Sequence, residues 1–139
     1  MKYDDQNIFA KILRGELPAE KIFEDEVVVA IMDIMPRADG HMLVLPKNPC
    51  RNILDANISQ LNVCIELVQR LAKASFKAFN ADGITIQQFN EAAGGQEVFH
   101  LHFHVLPRHN GVSLRHPGKM EDPAILKDNC RKIIKAISD

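Results

Sequence analysis

The alternation of apolar and polar positions divides the chain into short extended runs around one long amphipathic segment. Ile8, Phe9, Ile12 and Leu13 recur at helical spacing behind Asp4 and Asp5, either of which can cap a helix. Gly15 and Pro18 stop it. Two β-rich runs follow, 21–24 and 27–32, with Glu24-Asp25-Glu26 as the turn between them. Pro36 and Gly40 punctuate a loop over 33–40, and His41 to Leu45 reads as a third strand closed by Pro46. From about Ile58 to Phe79 the apolar positions Leu61, Cys64, Ile65, Val68, Leu71, Ala72, Ser75, Phe76 and Phe79 fall on one helical face. Ile84 to Phe89 and Val98 to Leu106 predict strands four and five. A last helix over about 122–138 aligns Ile125, Asn129, Ile133 and Ile137. Hairpin strands with one long intervening helix predict an α+β domain on an antiparallel sheet.

Composition narrows the class. A chain of 139 residues makes one domain, 1–139, large enough to build a core without staples. With 46% hydrophobic and 25% charged residues it is neither disordered nor collagen-like. A net charge of -1 gives no basic field for a nucleic-acid polymer. No apolar run approaches a membrane span. Cys50, Cys64 and Cys130 are scattered and odd in number, which argues against a disulfide framework and fits a reducing cytosol. The first five residues lack the regions of a signal peptide, so a cytoplasmic protein is expected.

Composition does not account for the histidines. His100-Leu101-His102-Phe103-His104-Val105-Leu106-Pro107 alternates strictly. Successive side chains of a strand point to opposite faces. The three imidazoles are therefore expected on one face, each roughly 6.6 Å along the strand from the next. Leu101, Phe103 and Val105 then face the core. Imidazole exchanges its proton near neutral pH. A neutral imidazole is a nucleophile toward phosphorus, and a neighbour that carries a proton can donate to a phosphoryl oxygen or leaving group. The same row also reads as a metal-ligand set, which His41, His109 or Glu97 could complete, or as polar residues on a solvent-facing strand.

Asn90-Glu91-Ala92-Ala93-Gly94-Gly95-Gln96-Glu97 leads into the row. Small residues let backbone approach a ligand, glycine amides can face phosphate oxygens, and the Gln96 amide can donate or accept. The alternative is a hairpin loop whose glycines supply positive φ.

Taken together, residues 96–108 resemble the signature of the histidine triad (HIT) family, His-x-His-x-His followed by apolar residues. Residues 8–12, 16–19, 23–25, 33–36 and 40–47 resemble the family's N-terminal half in order and spacing. The similarity covers nearly the whole chain and is nearest to the Hint-like bacterial branch. It implies a five-stranded antiparallel sheet with a long helix and flanking short helices. It also implies a homodimer that binds purine nucleoside monophosphates. The implied reaction is hydrolysis or transfer of a nucleotidyl group from phosphoramidates, such as adenosine 5′-monophosphoramidate, or related adenylates. The route would be a covalent nucleotidyl-histidine, with no cofactor.

By that resemblance His102 is the nucleophile, His104 binds phosphate and assists proton transfer, and His100 orients and tunes His102. His41 matches a histidine behind the triad. Asp33 matches an acceptor for ribose hydroxyls, which suits a carboxylate; its structural alternative is a turn residue before Pro36. Phe9, Ile12, Leu17, Ile34 and Leu43 match the apolar cleft around the base, or else are simple core. Asn90, Gly95, Gln96 and Glu97 match the phosphate and ribose side. Glu97 departs from relatives that carry a small hydroxyl residue there, and a carboxylate beside a phosphate must point away.

Many bacterial relatives hold a structural zinc with Cys-x-x-Cys near the N-terminus, a histidine after the third strand, and the first triad histidine. Here those positions are Asn7, Ala10 and the neighbourhood of Asn48-Pro49, leaving only His100. One imidazole cannot hold a tetrahedral site, so no metal is expected. The sequence supports a metal-independent displacement through His102. A nucleotide-binding module with little turnover and a three-histidine metalloenzyme stand as its rivals. His109 and His116 read as loop residues, and nothing in the sequence assigns a role to the segment from His109 onward.

Overall fold

The computed structural model describes residues 2–138. Five strands, β1 (Lys21–Glu24), β2 (Val28–Met32), β3 (Met42–Pro46), β4 (Gly83–Gln87) and β5 (Phe103–Arg108), form one antiparallel sheet in the order β1-β2-β3-β5-β4. Three α-helices accompany it, α1 (Ile8–Leu13), α2 (Ile58–Ala78) and α3 (Pro123–Ser138). The α+β class and the five-stranded sheet agree with the sequence expectation.

Alternation sorts the two sheet faces. Val28, Ala30, Met32, Met42, Val44, Leu101, Phe103 and Val105 pack against Cys64, Leu67, Val68 and Leu71 of α2 and Leu126, Cys130 and Ile133 of α3. Each large apolar side chain sealed there stabilises the fold by about 1.5–3 kcal/mol. Val29, Ile31, Leu43 and Leu45 point the other way and pack with Phe9 of α1. That small cluster leaves room beside it for the imidazoles. All three cysteines are free and buried.

Several boundaries differ from the pattern-based reading. The cap of α1 is Asn7, whose Oδ1 accepts from the Ala10 amide, and not Asp4 or Asp5. The buried stripe of α2 runs through Gln60, Cys64, Leu67, Val68, Leu71, Ala74 and Ser75, while Ile65 and Phe76 lie about half exposed. On α3 the packed positions are Leu126, Asn129, Cys130 and Ile133, and Ile125 is exposed.

The largest difference is β5, which begins at Phe103 and not at Val98. The approach to it is tied elsewhere: the Leu101 amide donates to the Cys50 carbonyl, 2.9 Å. Pro107 is inside the strand. It pairs with Ile84 of β4, beyond the last β3 partner at Val105, so its missing N–H falls where β5 has one neighbour only.

The segment after β5 returns to the 33–41 loop of its own chain. The Arg115 amide donates to the Arg37 carbonyl and Arg37 Nε donates to the Arg115 carbonyl, both at 2.8 Å. The Glu121 amide donates to the Ile34 carbonyl. Arg115 also pairs with Asp39 and Glu121. Among the described residues no helix is long and apolar enough to cross a membrane.

Candidate active site

Three imidazoles, His41, His102 and His104, meet on the α1 side of the sheet, and the His100 ring turns to other partners. His104 belongs to β5 and is paired with Leu43. His41 immediately precedes β3, and His100 and His102 lie on the approach to β5. The rings of His102 and His104 are 5.0 Å apart between centroids, and those of His41 and His104 5.1 Å. Phe9 stands against His102 and Phe89 against His104.

Hydrogen-bond partners fix where each proton sits. His102 Nδ1 is 2.6 Å from the His100 carbonyl oxygen. A carbonyl only accepts, so Nδ1 carries the proton and Nε2 keeps its lone pair. The backbone amide of Arg37 donates to His41 Nδ1, 3.0 Å. A neutral His41 therefore carries its proton on Nε2, which donates to His104 Nδ1 at 2.9 Å. His104 in turn carries its own proton on Nε2. Among the described residues neither His102 Nε2 nor His104 Nε2 has a hydrogen-bond partner, and neither atom is sealed from solvent. One thus offers a lone pair and its neighbour a proton.

Burial keeps these rings neutral. Desolvation pushes His41 down to about 3, with His104, Arg37 and His102 adding to the shift. Desolvation likewise pushes His102 to about 4, against the opposing bond from the His100 carbonyl. His104 falls to about 4 through desolvation, then His102 and Arg37. Burial raises the Asp33 carboxyl to about 6, opposed by the Met35 amide that donates to its Oδ1. Asp33 Oδ2 lies 3.5 Å from His41 Nε2. With His41 neutral, this is a carboxyl beside an imidazole and not an ion pair.

The 33–41 loop that carries Asp33 and His41 closes tightly. Gly40 has φ +81°, and a Cβ there would fall 2.5 Å from the Phe79 ring at the end of α2. Only glycine fits that approach.

The phosphate-side loop is built differently from the sequence expectation. Gln96 is buried, with Oε1 accepting from Asn52 Nδ2 and the Glu91 amide. Its Nε2 donates to the carbonyls of Arg51 and Val98. The amides of Gly94, Gly95 and Gln96 turn inward onto the carbonyls of Glu91, Ala92 and Glu91. The Gly95 amide and the Gln96 side chain thus have partners within the chain, Gln96 bonding to the 51–52 segment as well as to Glu91 and Val98. Glu91 holds a positive φ of 66°, fixed by Arg51 and Asn52 on its carboxylate. Asn90 Oδ1 accepts from the Ile53 amide and from Gln88. Glu97 is exposed.

Of the predicted apolar cleft, Phe9, Ile12 and Leu43 come together in one cluster. Leu17 and Ile34 do not join it and lie exposed. Two open cavities, one at Asp82, Arg108 and Val112 and one at Pro36, Arg115 and Asn129, are lined by none of these four imidazoles.

Neither of two metal arrangements is free of competing contacts. The zinc positions do not fit: both His100 nitrogens are committed, to the Pro46 carbonyl and the Tyr3 hydroxyl, and Asn7 caps α1. Asp33, His41 and His104 bring three ligand atoms within 4.8 Å of one another. There the His41 proton already occupies the His104 lone pair, and a cation would have to displace it.

Sequence reasoning missed Tyr3 and Arg37. Arg37 acts through its backbone amide, which no side-chain pattern can reveal.

A family model described as the HIT domain matches residues 14–111. Among solved structures the chain is similar to a HIT-like protein of Bartonella henselae described as involved in cell-cycle regulation. Identity is 51%, the TM-score is 0.93, and 98% of this chain and 99% of that one are covered. It is also similar to a hypothetical histidine triad nucleotide-binding protein of Sulfolobus tokodaii, at 29% identity and TM-score 0.86, covering 94% and 91%. An adenylylsulfatase of Arabidopsis thaliana is 35% identical over 101 residues, 73% of this chain and 51% of that protein.

Proposed function

The chain belongs to the HIT family of nucleotide-binding hydrolases and transferases, and on that premise we propose that it cleaves nucleoside phosphoramidates or related adenylates through a nucleotidyl-His102 intermediate. The observation that carries this reading is the pairing of a free His102 Nε2 lone pair with a His104 Nε2–H on the neighbouring ring. His102 Nε2 attacks the α-phosphorus. The P–N bond breaks with its electron pair on the amine, which takes a proton as it leaves. His104 Nε2–H hydrogen-bonds a phosphoryl oxygen and keeps its proton, because a neutral imidazole that gave it up would become an imidazolate, so the amine takes its proton from solvent. Water then attacks phosphorus, the P–N bond to His102 breaks, and the nucleoside monophosphate departs. One proton is taken up in the first half and one released in the second. Positioning and electrostatic complementarity supply the catalysis, as is general for phosphoryl transfer.

Asp33 is assigned to the ribose hydroxyls, and Phe9, Ile12 and Leu43 to one face of a purine. The working form is assigned as a homodimer. Edge strand β4 carries exposed Ile86, and α2 carries exposed Ile65 and Phe76, which supports a second copy as the partner.

The test is a turnover panel of adenosine phosphoramidate, adenylyl sulfate and aminoacyl-adenylates with wild type and His102→Ala. Expected is a loss of about a thousandfold or more in kcat for the variant, with AMP affinity kept within about fivefold. Undiminished turnover by the variant sinks the His102 assignment. AMP binding without turnover of any member by wild type favours a binding module.

A further inference from the structure

His100 has no part in the exposed chemistry. It is fully buried, and its two ring nitrogens are both taken. Nε2 lies 2.8 Å from the Pro46 carbonyl oxygen and Nδ1 2.6 Å from the Tyr3 hydroxyl. The carbonyl accepts, so Nε2 carries the ring proton, Nδ1 is a lone pair, and the Tyr3 O–H is the donor. Burial lowers the His100 pKa and raises that of Tyr3, so each keeps the protonation state this arrangement needs.

Tyr3 is itself held. Its oxygen accepts from Asn7 Nδ2 at 3.1 Å, and Asn7 Oδ1 accepts the Ala10 amide as the cap of α1. The Tyr3 ring stands edge-on to the His100 ring, with 5.7 Å between centroids. Asn7, Cys50, Arg14 and Asp5 are the other polar or titratable groups that act on its hydroxyl.

We propose that Tyr3 is a positioning residue for the nucleophile: its hydroxyl proton holds His100 as the Nε2–H form and thereby keeps the residue-100 carbonyl on Nδ1 of His102. The inference rests on His102 being the nucleophile. Without that proton, His100 Nδ1 is a buried acceptor with no partner. The ring then relieves itself by taking a second proton or by turning away from the Pro46 carbonyl. Either change slackens the contact that denies His102 the other tautomer, in which a proton on Nε2 removes the attacking lone pair.

Tyr3→Phe keeps the ring and deletes one oxygen. Expected is a fall of roughly tenfold or more in kcat for adenosine phosphoramidate with KM changed less than about twofold. The acid limb of the kcat profile and the His100 titration, read by ¹⁵N resonances of the ring nitrogens, should both move to higher pH. Tyr3 is the only tyrosine in the chain, so biosynthetic 3-fluorotyrosine alters this one hydroxyl even if Tyr3→Phe folds poorly. A more acidic phenol donates more strongly, and the His100 Nδ1 resonance should shift. Wild-type kcat in folded Tyr3→Phe, or unmoved His100 resonances in either protein, overturns the proposal. Its failure is separable from that of the reaction assignment: an active His102→Ala enzyme refutes the nucleophile whatever the His100 resonances do.

Discussion

Phe9 stands edge-on to His102, with 4.7 Å between ring centroids and 74° between their planes. The phenyl ring keeps water from the imidazole, and desolvation is the main reason its pKa falls to about 4. Phe9→Ala admits water and relaxes that value toward the ordinary one of about 6.5. The acid limb of kcat is expected to rise by about one pH unit with kcat near pH 8 reduced far less, while the lost purine contact raises KM at every pH. A pH–rate profile of the two proteins checks this.

Asp33 gives nucleotide affinity its own pH dependence. Its carboxyl, raised to about 6, offers both oxygens as acceptors to the ribose hydroxyls, and accepts most strongly, when ionised. Affinity for AMP should weaken as pH falls from 7.5 to 5. Asp33→Asn should bind AMP about tenfold more weakly at pH 7.5, with kcat less affected and the slope flattened. Calorimetry across that range distinguishes the two curves.

Stability is expected to fall with acid, and the direction follows from the histidines. His41, His100, His102 and His104 all have folded pKa values below the unfolded value. As pH drops below about 6.5 the unfolded chain binds protons first, so the stability present above that pH drains away toward pH 4. Asp33 works in the opposite sense. Its folded pKa is the higher one, so its protonation between about 6 and 3.8 adds stability. Four groups outweigh one, each by up to about 1.4 kcal/mol per pH unit. Urea midpoints should be lower at pH 5 than at pH 7.5, and the drop should steepen in Asp33→Asn.

Gln96 is predicted to matter for folding more than for phosphate. Gln96→Glu preserves shape but turns two donors into an acceptor facing the Arg51 and Val98 carbonyls. The expected loss is about 2–4 kcal/mol, similar to Gln96→Ala. Urea denaturation measures it. Unchanged stability with lost turnover would return Gln96 to the phosphate.

The contributions of sequence and structure separate along a physical line. Period-two and period-3.6 patterns report burial, and they located β1, β3, α2 and α3 to within a residue or two. They failed where burial is not the deciding force. Ile65 and Phe76 look like core on α2 but lie exposed. Val98 to His102 read as strand because they are apolar and alternating, yet there the Leu101 amide bonds to the Cys50 carbonyl and the carbonyls of Val98 and His100 accept from side chains. That His102 and His104 stand side by side was legible from spacing, and that His41 joins them from resemblance. The ring-proton positions were not, because these depend on the Arg37 amide and on carbonyls 46 and 100. Gln96 shows the same limit: an amide in a glycine loop fits a ligand or a strut, and only its four partners decide.

Tyr3 and His100 are separated by 97 positions, and Arg37 and Arg115 by 78. Loops of that length close late, because chain entropy opposes them until the rest of the sheet is in place. During refolding the secondary structure can return while each imidazole still titrates as it would in a peptide. The chain has no tryptophan and this one tyrosine, so Tyr3 emission reports the closing of the N-terminal contact alone. Recovery of turnover should follow that slow optical phase and lag behind the far-ultraviolet signal.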